Sequence, residues 1–309
     1  MRLSDWLEQL HHWAITERQP RLTAKTLKDY SQDLRNFARW VDTARGQPFL
    51  PALLRHEDAE AWKQHELARG RRPSSINRAL AALRFLAEWL KKTGQTEDRL
   101  LDKLKQVPRE EVESYRWLEL TEIVRLYRAI RTVPGWSDRR RVMTEALLRI
   151  MLEAGLRVDE TANLRLDDLS LTPLDQAHLT VRAGRGGHSR RVPFGQDLQQ
   201  SLTAWLALRK GSTPWLFPGS RASRLGHSAI GNSVRVLAKT AGIQAVTCQT
   251  LRVTCGHMLY LKTKNLWIVA ALMGHFSADG QPLPSGCANY VYRPGQELEM
   301  PDLDAYLCE

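Results

Sequence analysis

Four cysteines (Cys248, Cys255, Cys287 and Cys308) are all that the 309 residues contain, and they form neither a Cys-x-x-Cys pair nor a metal-ligand spacing. A disulfide-stapled fold and a zinc module are therefore excluded, and free thiols in a reducing compartment are expected. Long apolar runs are missing as well. The longest, Leu266 to Met273, is far shorter than a bilayer span requires. Met1 to Trp13 reads as a charged amphipathic helix rather than a basic segment leading into an apolar one, so no secretory signal is expected. Internal repeats and low-complexity tracts are absent, which sets repeat architectures aside. Acidic residues are in deficit: 34 Asp and Glu face 45 Lys and Arg, a net charge of +11. Such an excess favours a polyanionic partner, nucleic acid first and an anionic membrane second. The expectation is a soluble, cytoplasmic protein.

A chain of this length suits two domains, each with its own core. Its first hundred residues read as helices. Leu27, Tyr30, Leu34, Phe37 and Val41 step by three and four within Thr23–Val41, as do Ile76, Leu80, Leu83, Leu86 and Leu90 within Ser74–Lys92. Before the second helix lies "ARGRRPSS", where Arg69, Arg71 and Arg72 precede a Pro-Ser-Ser helix start. Two readings are open: a solvated loop with a capped helix, or a basic helix N-terminus set against a phosphate backbone. From Leu101 to Arg116 the pattern weakens into "LDKLKQVPREEVESYR", the best linker in the chain. The domains expected are 1–104, a linker at 105–116, and 117–309.

Helical periodicity returns at Thr121–Ile130 and at Arg139–Ala154, the latter stopped by Gly155. One clear β signal follows. "HLTVRAGRGGHSRRVPF" holds two alternating runs, His178–Arg182 and Arg190–Phe194, around a glycine-rich basic turn. "WLFPG" at 215–219 reads as a short buried strand or a turn, and helices resume at Ser228–Thr240, Leu251–Lys262 and Leu266–Met273. Three segments of this half carry candidate chemistry. Glu160 follows Arg157 by three residues, one helical turn, which a plain surface ion pair would also explain. The second segment is the basic hairpin, and in the third His275 follows Arg252 by twenty-three residues.

This combination resembles the tyrosine recombinase (phage integrase) family over nearly the whole chain. "TAKTLKDYSQDLRNFARWV" and "RRPSSINRALAALRFLAEWLKK" are similar to its N-terminal core-binding helices. "GLRVDETANLRLDDLSL" resembles its first catalytic box, "TVRAGRGGHSRRVPF" its β-hairpin, and "TLRVTCGHMLYL…LMGH" its second box, followed by a tyrosine in "ANYVY". The resemblance implies a mainly α fold: a SAM-like helical domain plus a mainly α catalytic domain with a small β-hairpin, together a C-shaped clamp on double-stranded DNA. It implies site-specific breakage and rejoining through a 3′-phosphotyrosyl intermediate, without ATP, metal or other cofactor. It also implies a homo-oligomer on DNA, a dimer per site and a tetrameric synapse. Attack on a phosphodiester builds charge on its non-bridging oxygens, which two arginines can meet bidentately. Arg157 and Arg252 match that pair, Glu160 the acidic residue that arranges the first, His275 the later His/Trp position, and Tyr290 the nucleophile. Arg69, Arg71, Arg72, Arg78, Arg190 and Arg191 are the expected DNA contacts.

Three departures stand out. Gln249 occupies the usual histidine position three residues before Arg252; glutamine can hydrogen-bond but carries no proton across neutral pH. Arg185 aligns with the hairpin lysine that serves as general acid, and arginine donates its proton poorly. His188, three residues on, carries an ionisable ring and is either a substitute donor or a solvent-exposed hairpin residue. No lysine lies between Thr180 and Phe194. Finally, the tyrosine usually stands nine residues after the Gly-His histidine, where this chain has Pro284. A Gly- and Pro-rich insert, "FSADGQPLPSG", delays Tyr290 to fifteen residues after His275, with Tyr292 just beyond. Tyr290 fits the pattern better, and Tyr292 falls where the family often has a histidine. Two packed aromatics remain the plain alternative. The tail after Tyr292 carries Leu298, Met300, Leu303, Tyr306 and Leu307, an amphipathic helix for a neighbouring subunit or for its own core. Three rival readings remain. One is a recombinase-like DNA-binding protein with weak or no catalysis, favoured by Gln249 and Arg185. The others are a helical transcription regulator and a type IB topoisomerase.

Overall fold

The computed structural model describes residues 3–18, 22–96, 100–108, 116–182, 188–220 and 223–291. The chain divides into two units, Met1–Val112 and Glu113–Glu309. The first is built from α1 (Leu3–Thr16), α2 (Ala24–Arg45), α3 (His56–Ala68) and α4 (Pro73–Lys92). Thr23 caps α2, its hydroxyl accepting the Thr26 amide at 3.1 Å, and α4 opens on Pro73, where a missing N–H costs nothing. Leu27, Leu34, Phe37 and Val41 of α2 meet Ile76, Leu80, Leu83, Leu86 and Leu90 of α4 in one buried core. The sequence gives little sign of α3. Its buried face is Ala59, Trp62, Lys63 and Glu66, too polar to read as an apolar stripe. Trp62 anchors it edge-on against Phe37 at 5.6 Å.

Leu101, Leu104 and Val107 are buried in the same core. The Asn77 side chain brackets Val107, accepting from its amide at 2.8 Å and donating to its carbonyl at 2.9 Å. The segment read as a linker from residue 105 thus starts inside the first unit.

The second unit contains α5 (Leu120–Thr132), α6 (Asp138–Glu153), α7 (Val158–Asn163), β1 (Leu169–Ser170), β2 (His178–Val181), β3 (Arg190–Pro193), α8 (Gln196–Leu208), α9 (His227–Thr240), α10 (Cys248–Thr263), α11 (Leu266–Met273) and α12 (Ala288–Val291). The strands form an antiparallel sheet in the order β1-β2-β3, with Leu179 opposite both Leu169 and Val192, and Val181 opposite Arg190. The expected hairpin is therefore present, joined by a two-residue strand too short to show any alternation. "WLFPG" buries Leu216 and Phe217 and makes only isolated bridges, Arg165 to Trp215 and Pro218 to Arg224.

A large core gathers Leu126, Leu147, Met151, Leu202, Trp205 and Phe217. A smaller one gathers Trp117, Val253, Cys255, Val269, Ala270, Met273, Cys287 and Tyr290. Between the two, α10 buries every residue from Thr250 to His257. Leu251 enters the large core while Val253 and Cys255 enter the small one. The mainly helical architecture with one small sheet is the one expected. Among the described residues, no helix is long and apolar enough to cross a membrane.

Candidate active site

Glu160 is the node of the site. The chain leaves α6 through Gly155 (φ 61°), and Arg157 then N-caps α7 with Glu160 in its first turn. The Arg157 amide donates to Glu160 Oε2 at 2.8 Å, its Nη1 donates to Oε1 at 2.9 Å, and its Nη2 donates to the Gly274 carbonyl at 3.2 Å. The Glu160 side chain is only 6% exposed, so a plain surface ion pair is ruled out.

Arg190 changes role. Expected on DNA, it is buried and grips both Glu160 oxygens, Nη1 to Oε1 at 3.0 Å and Nη2 to Oε2 at 2.8 Å, while its Nε donates to the Leu272 carbonyl at 2.9 Å. The cause is strand alternation: Arg190 shares the inward face with Val192, and Arg191 points out. Burial alone would raise the Glu160 pKa, but the hydrogen bonds and charge of Arg190, then of Arg157, hold it at about 2. Gly274 (φ 67°) leaves room for this guanidinium; a Cβ there would lie 2.6 Å from Arg190 Nη1.

Arg252 lies behind these groups, 2% exposed. Its Nη1 donates to the Gly155 carbonyl, just past the end of α6, and its Nη2 to the Met273 carbonyl, the last of α11, which has no partner within its helix. Nη2 also lies 3.3 Å from His275 Nε2, and Nη1 lies 3.9 Å from Glu160 Oε2. Burial lowers the pKa of Arg252, though a guanidinium stays charged at any working pH.

His275 Nε2 is 2.9 Å from the Tyr290 hydroxyl. The six extra residues between them do not displace the tyrosine, because the insert closes on itself. Phe276 bridges to Pro282, the Ser277 amide donates to the Gln281 carbonyl at 2.9 Å, and the Leu283 amide returns to the His275 carbonyl at 2.7 Å. The chain is back at its starting point before it enters α12. There the Tyr290 ring lies on Gly256, where a Cβ would sit 2.8 Å from its Cγ. Burial pushes the Tyr290 phenol above its ordinary pKa, opposed by the charge of Arg252.

Gln249 is exposed on the first turn of α10, one turn before Arg252, and its side chain makes no hydrogen bond among the described residues. His188 is half-buried, not a free hairpin residue: its ring packs on Phe276 of the insert at 5.5 Å between centroids. Arg185, Tyr292 and the tail lie outside the described residues.

The other expected DNA contacts divide. Arg191 and Arg72 are exposed and make no ion pair among the described residues. Arg69 is 68% exposed while touching Glu66 at 3.2 Å. Arg71 and Arg78 instead converge on Asp33, whose side chain is 1% exposed. Arg71 Nη2 reaches it at 3.0 Å and Arg78 Nε at 2.8 Å, and Arg71 Nη1 also binds Glu66 at 2.6 Å. A buried carboxylate must be paired, and that need occupies both arginines. Gly256 was missed as a functional position, although a glycine inside a helical pattern is itself a signal of close packing. Among the described residues no cluster of His, Cys, Asp and Glu could hold a metal ion.

Residues 116–279 match the phage integrase family, and residues 6–94 match the phage integrase N-terminal SAM-like domain. The tyrosine recombinase XerC of Chromohalobacter salexigens is 29% identical over 255 residues, 81% of each chain. XerC of Methylobacterium sp. 4-46 is 29% identical over 289 residues, 89% of this chain and 87% of that one. Among solved structures, the λ integrase tetramer bound to a Holliday junction has a TM-score of 0.71 at 16% identity, covering 97% of this chain and 81% of that one. The XerH recombinase in its pre-cleavage complex with difH has a TM-score of 0.69 at 19% identity, covering 94% and 81%. The family match ends inside the insert, before Tyr290, and the 2.9 Å contact of its hydroxyl with His275 joins that tyrosine to the boxes that carry the match. With more than half of its length matched to one family and its first helices to the companion domain, the chain belongs to the phage integrase family.

Proposed function

We propose that this chain is a site-specific tyrosine recombinase that breaks and rejoins double-stranded DNA with Tyr290 as its nucleophile. The observation that carries the reading is the contact of the Tyr290 hydroxyl with His275, with the Arg252 guanidinium beside them. A phenol held in this way attacks a phosphodiester. The Tyr290 oxygen–phosphorus bond forms, the phosphorus–5′-oxygen bond breaks, and the phosphotyrosyl linkage conserves the bond energy for rejoining. The phenol proton passes to the acceptor beside it, and His275 is that neighbour. Arg157 and Arg252 stabilise the charge that grows on the phosphate oxygens. In a hairpin whose described residues include no lysine, His188 is assigned as the side chain that returns a proton to the 5′-oxygen.

The named relatives are tyrosine recombinases, and the λ integrase neighbour is a tetramer on DNA. This chain is accordingly read as acting on DNA in the cytoplasm, as a dimer at each site and a tetramer in synapsis. Its tail from Met300 to Glu309 would join the subunits, and synapsis that survives deletion of that tail would refute this part.

The test uses nicked suicide duplexes, which trap the covalent intermediate. A protein–DNA adduct on a denaturing gel, lost in Tyr290→Phe and kept in Tyr292→Phe, is expected. The reverse pattern moves the nucleophile to Tyr292. Sequence-specific binding with no adduct would instead favour a recombinase-like protein that binds without cutting.

A further inference from the structure

Gly256 and His257 are consecutive on α10, and both touch the candidate nucleophile. The Tyr290 ring lies on Gly256, while His257 Nδ1 is 2.7 Å from the Tyr290 backbone carbonyl. A carbonyl only accepts, so Nδ1 carries the proton and donates it. His257 thus supplies a side-chain donor to the backbone of α12.

The imidazole is held in turn. The Trp117 ring stacks on it at 3.9 Å between centroids, with the planes 12° apart, and His257 is 6% exposed. Trp117 is held through its neighbours: the Leu118 amide donates to Thr254 Oγ1 of α10 at 2.9 Å, and Arg116 Nη1 donates to the Gln244 carbonyl, in the turn between α9 and α10, at 2.7 Å. A ring stacked face to face on another cannot swing its Nδ1 away from the carbonyl. The hydroxyl of Tyr290, at the far end of the same residue, must meet His275 at 2.9 Å. An error in the Tyr290 backbone is carried to the attacking oxygen by a rigid side chain, and a displacement of about 1 Å can cost on the order of a hundredfold in rate.

We propose that His257, braced by Trp117, is a positioning residue for the nucleophile: it holds the Tyr290 backbone so that the phenol reaches its attack position. This rests on Tyr290 being the nucleophile. Nothing here requires His257 to touch DNA or to exchange a proton with it.

The test compares His257→Asn, whose amide N–H lies near the place of Nδ1, with His257→Gln, whose amide N–H reaches the place of Nε2. Both remain polar and similar in bulk, so a purely structural histidine would suffer equally from either. Single-turnover adduct formation on nicked duplexes, DNA affinity and thermal melting are measured, with Tyr290→Phe as control. Expected are no adduct from Tyr290→Phe, a His257→Asn rate within about threefold of wild type, and a His257→Gln rate at least about tenfold lower, with DNA affinity unchanged. Trp117→Leu should follow His257→Gln, and Trp117→Phe, which keeps a stacking ring, should recover most of the rate. An adduct that survives Tyr290→Phe, or a wild type that forms none, refutes the nucleophile assignment and this inference with it. If Tyr290→Phe is inactive but the Asn and Gln variants fall together, or neither falls, the assignment stands and the positioning role is overturned.

Discussion

Arg190 and Glu160 face each other through two parallel hydrogen bonds, Nη1 to Oε1 at 3.0 Å and Nη2 to Oε2 at 2.8 Å, inside the second unit. The same carboxylate also holds the Arg157 amide and guanidinium. A pair of this kind is costly to assemble and costlier to break, because the partner left behind is a buried, uncompensated charge.

Glu160→Gln should therefore lower stability by about 3–5 kcal/mol, read from chemical denaturation at pH 7. The pH dependence has a definite sign. The folded pKa of about 2 lies below the ordinary 4.5, so the contribution is complete above 4.5 and is lost as pH falls toward 2. The gap between wild type and Glu160→Gln should narrow over that window. A constant gap down to pH 2 would show that the carboxylate is not held in its charged form by the arginines.

Neighbouring arginines on β3 should behave in opposite ways. Arg191→Ala, at an exposed position, should weaken DNA binding and reduce the salt slope by about one contact without changing stability. Arg190→Ala should cost stability first, because it strips Glu160 of its principal partner. Binding titrations at several salt concentrations, paired with melting curves, separate the two, and equal salt slopes for both variants would contradict the assignment. Arg72→Ala should resemble Arg191→Ala, and Arg78→Ala should not, since Arg78 is committed to Asp33.

Gly256→Ala sets local preference against the site. Alanine in a helix interior is favoured over glycine by roughly 0.5–1 kcal/mol, yet its Cβ would lie 2.8 Å from Tyr290 Cγ. The ring has to give way, and adduct formation should fall by about a hundredfold while DNA affinity holds. An unimpaired variant would mean that the ring can shift without consequence for attack.

Wild-type cleavage should rise with pH through the neutral range, because burial raises the Tyr290 pKa and leaves the phenol protonated there. Gln249→His adds a proton acceptor one turn before Arg252, at an exposed position that tolerates the change. It should raise single-turnover cleavage by about tenfold near neutrality and flatten the pH profile. An unchanged profile would place residue 249 away from the chemistry.

Several elements were legible in the sequence because their signal is local. The apolar stripes of α2 and α4 repeat every three to four residues, and the alternation on either side of a glycine-rich turn marked the hairpin. The helix α3 was not legible, since its buried face is Ala59, Trp62, Lys63 and Glu66, two of the four charged and held by ion pairs. The partners of the arginines were not legible either. Nothing within ten residues of Arg190 shows that it pairs with Glu160, and Asp33 lies 38 residues from Arg71 and 45 from Arg78.

What the sequence by itself determined is the order of the boxes, the excess of basic charge and the residue types available for phosphate chemistry, all written in composition and short spacing. Tertiary structure alone decided which arginines face inward, and that an insert too long for the usual spacing returns to His275 and still delivers Tyr290 to it. The physical reason is distance along the chain. A buried carboxylate takes its cation from whichever strand or helix packs beside it, and a loop that closes on itself adds residues without adding separation between its ends.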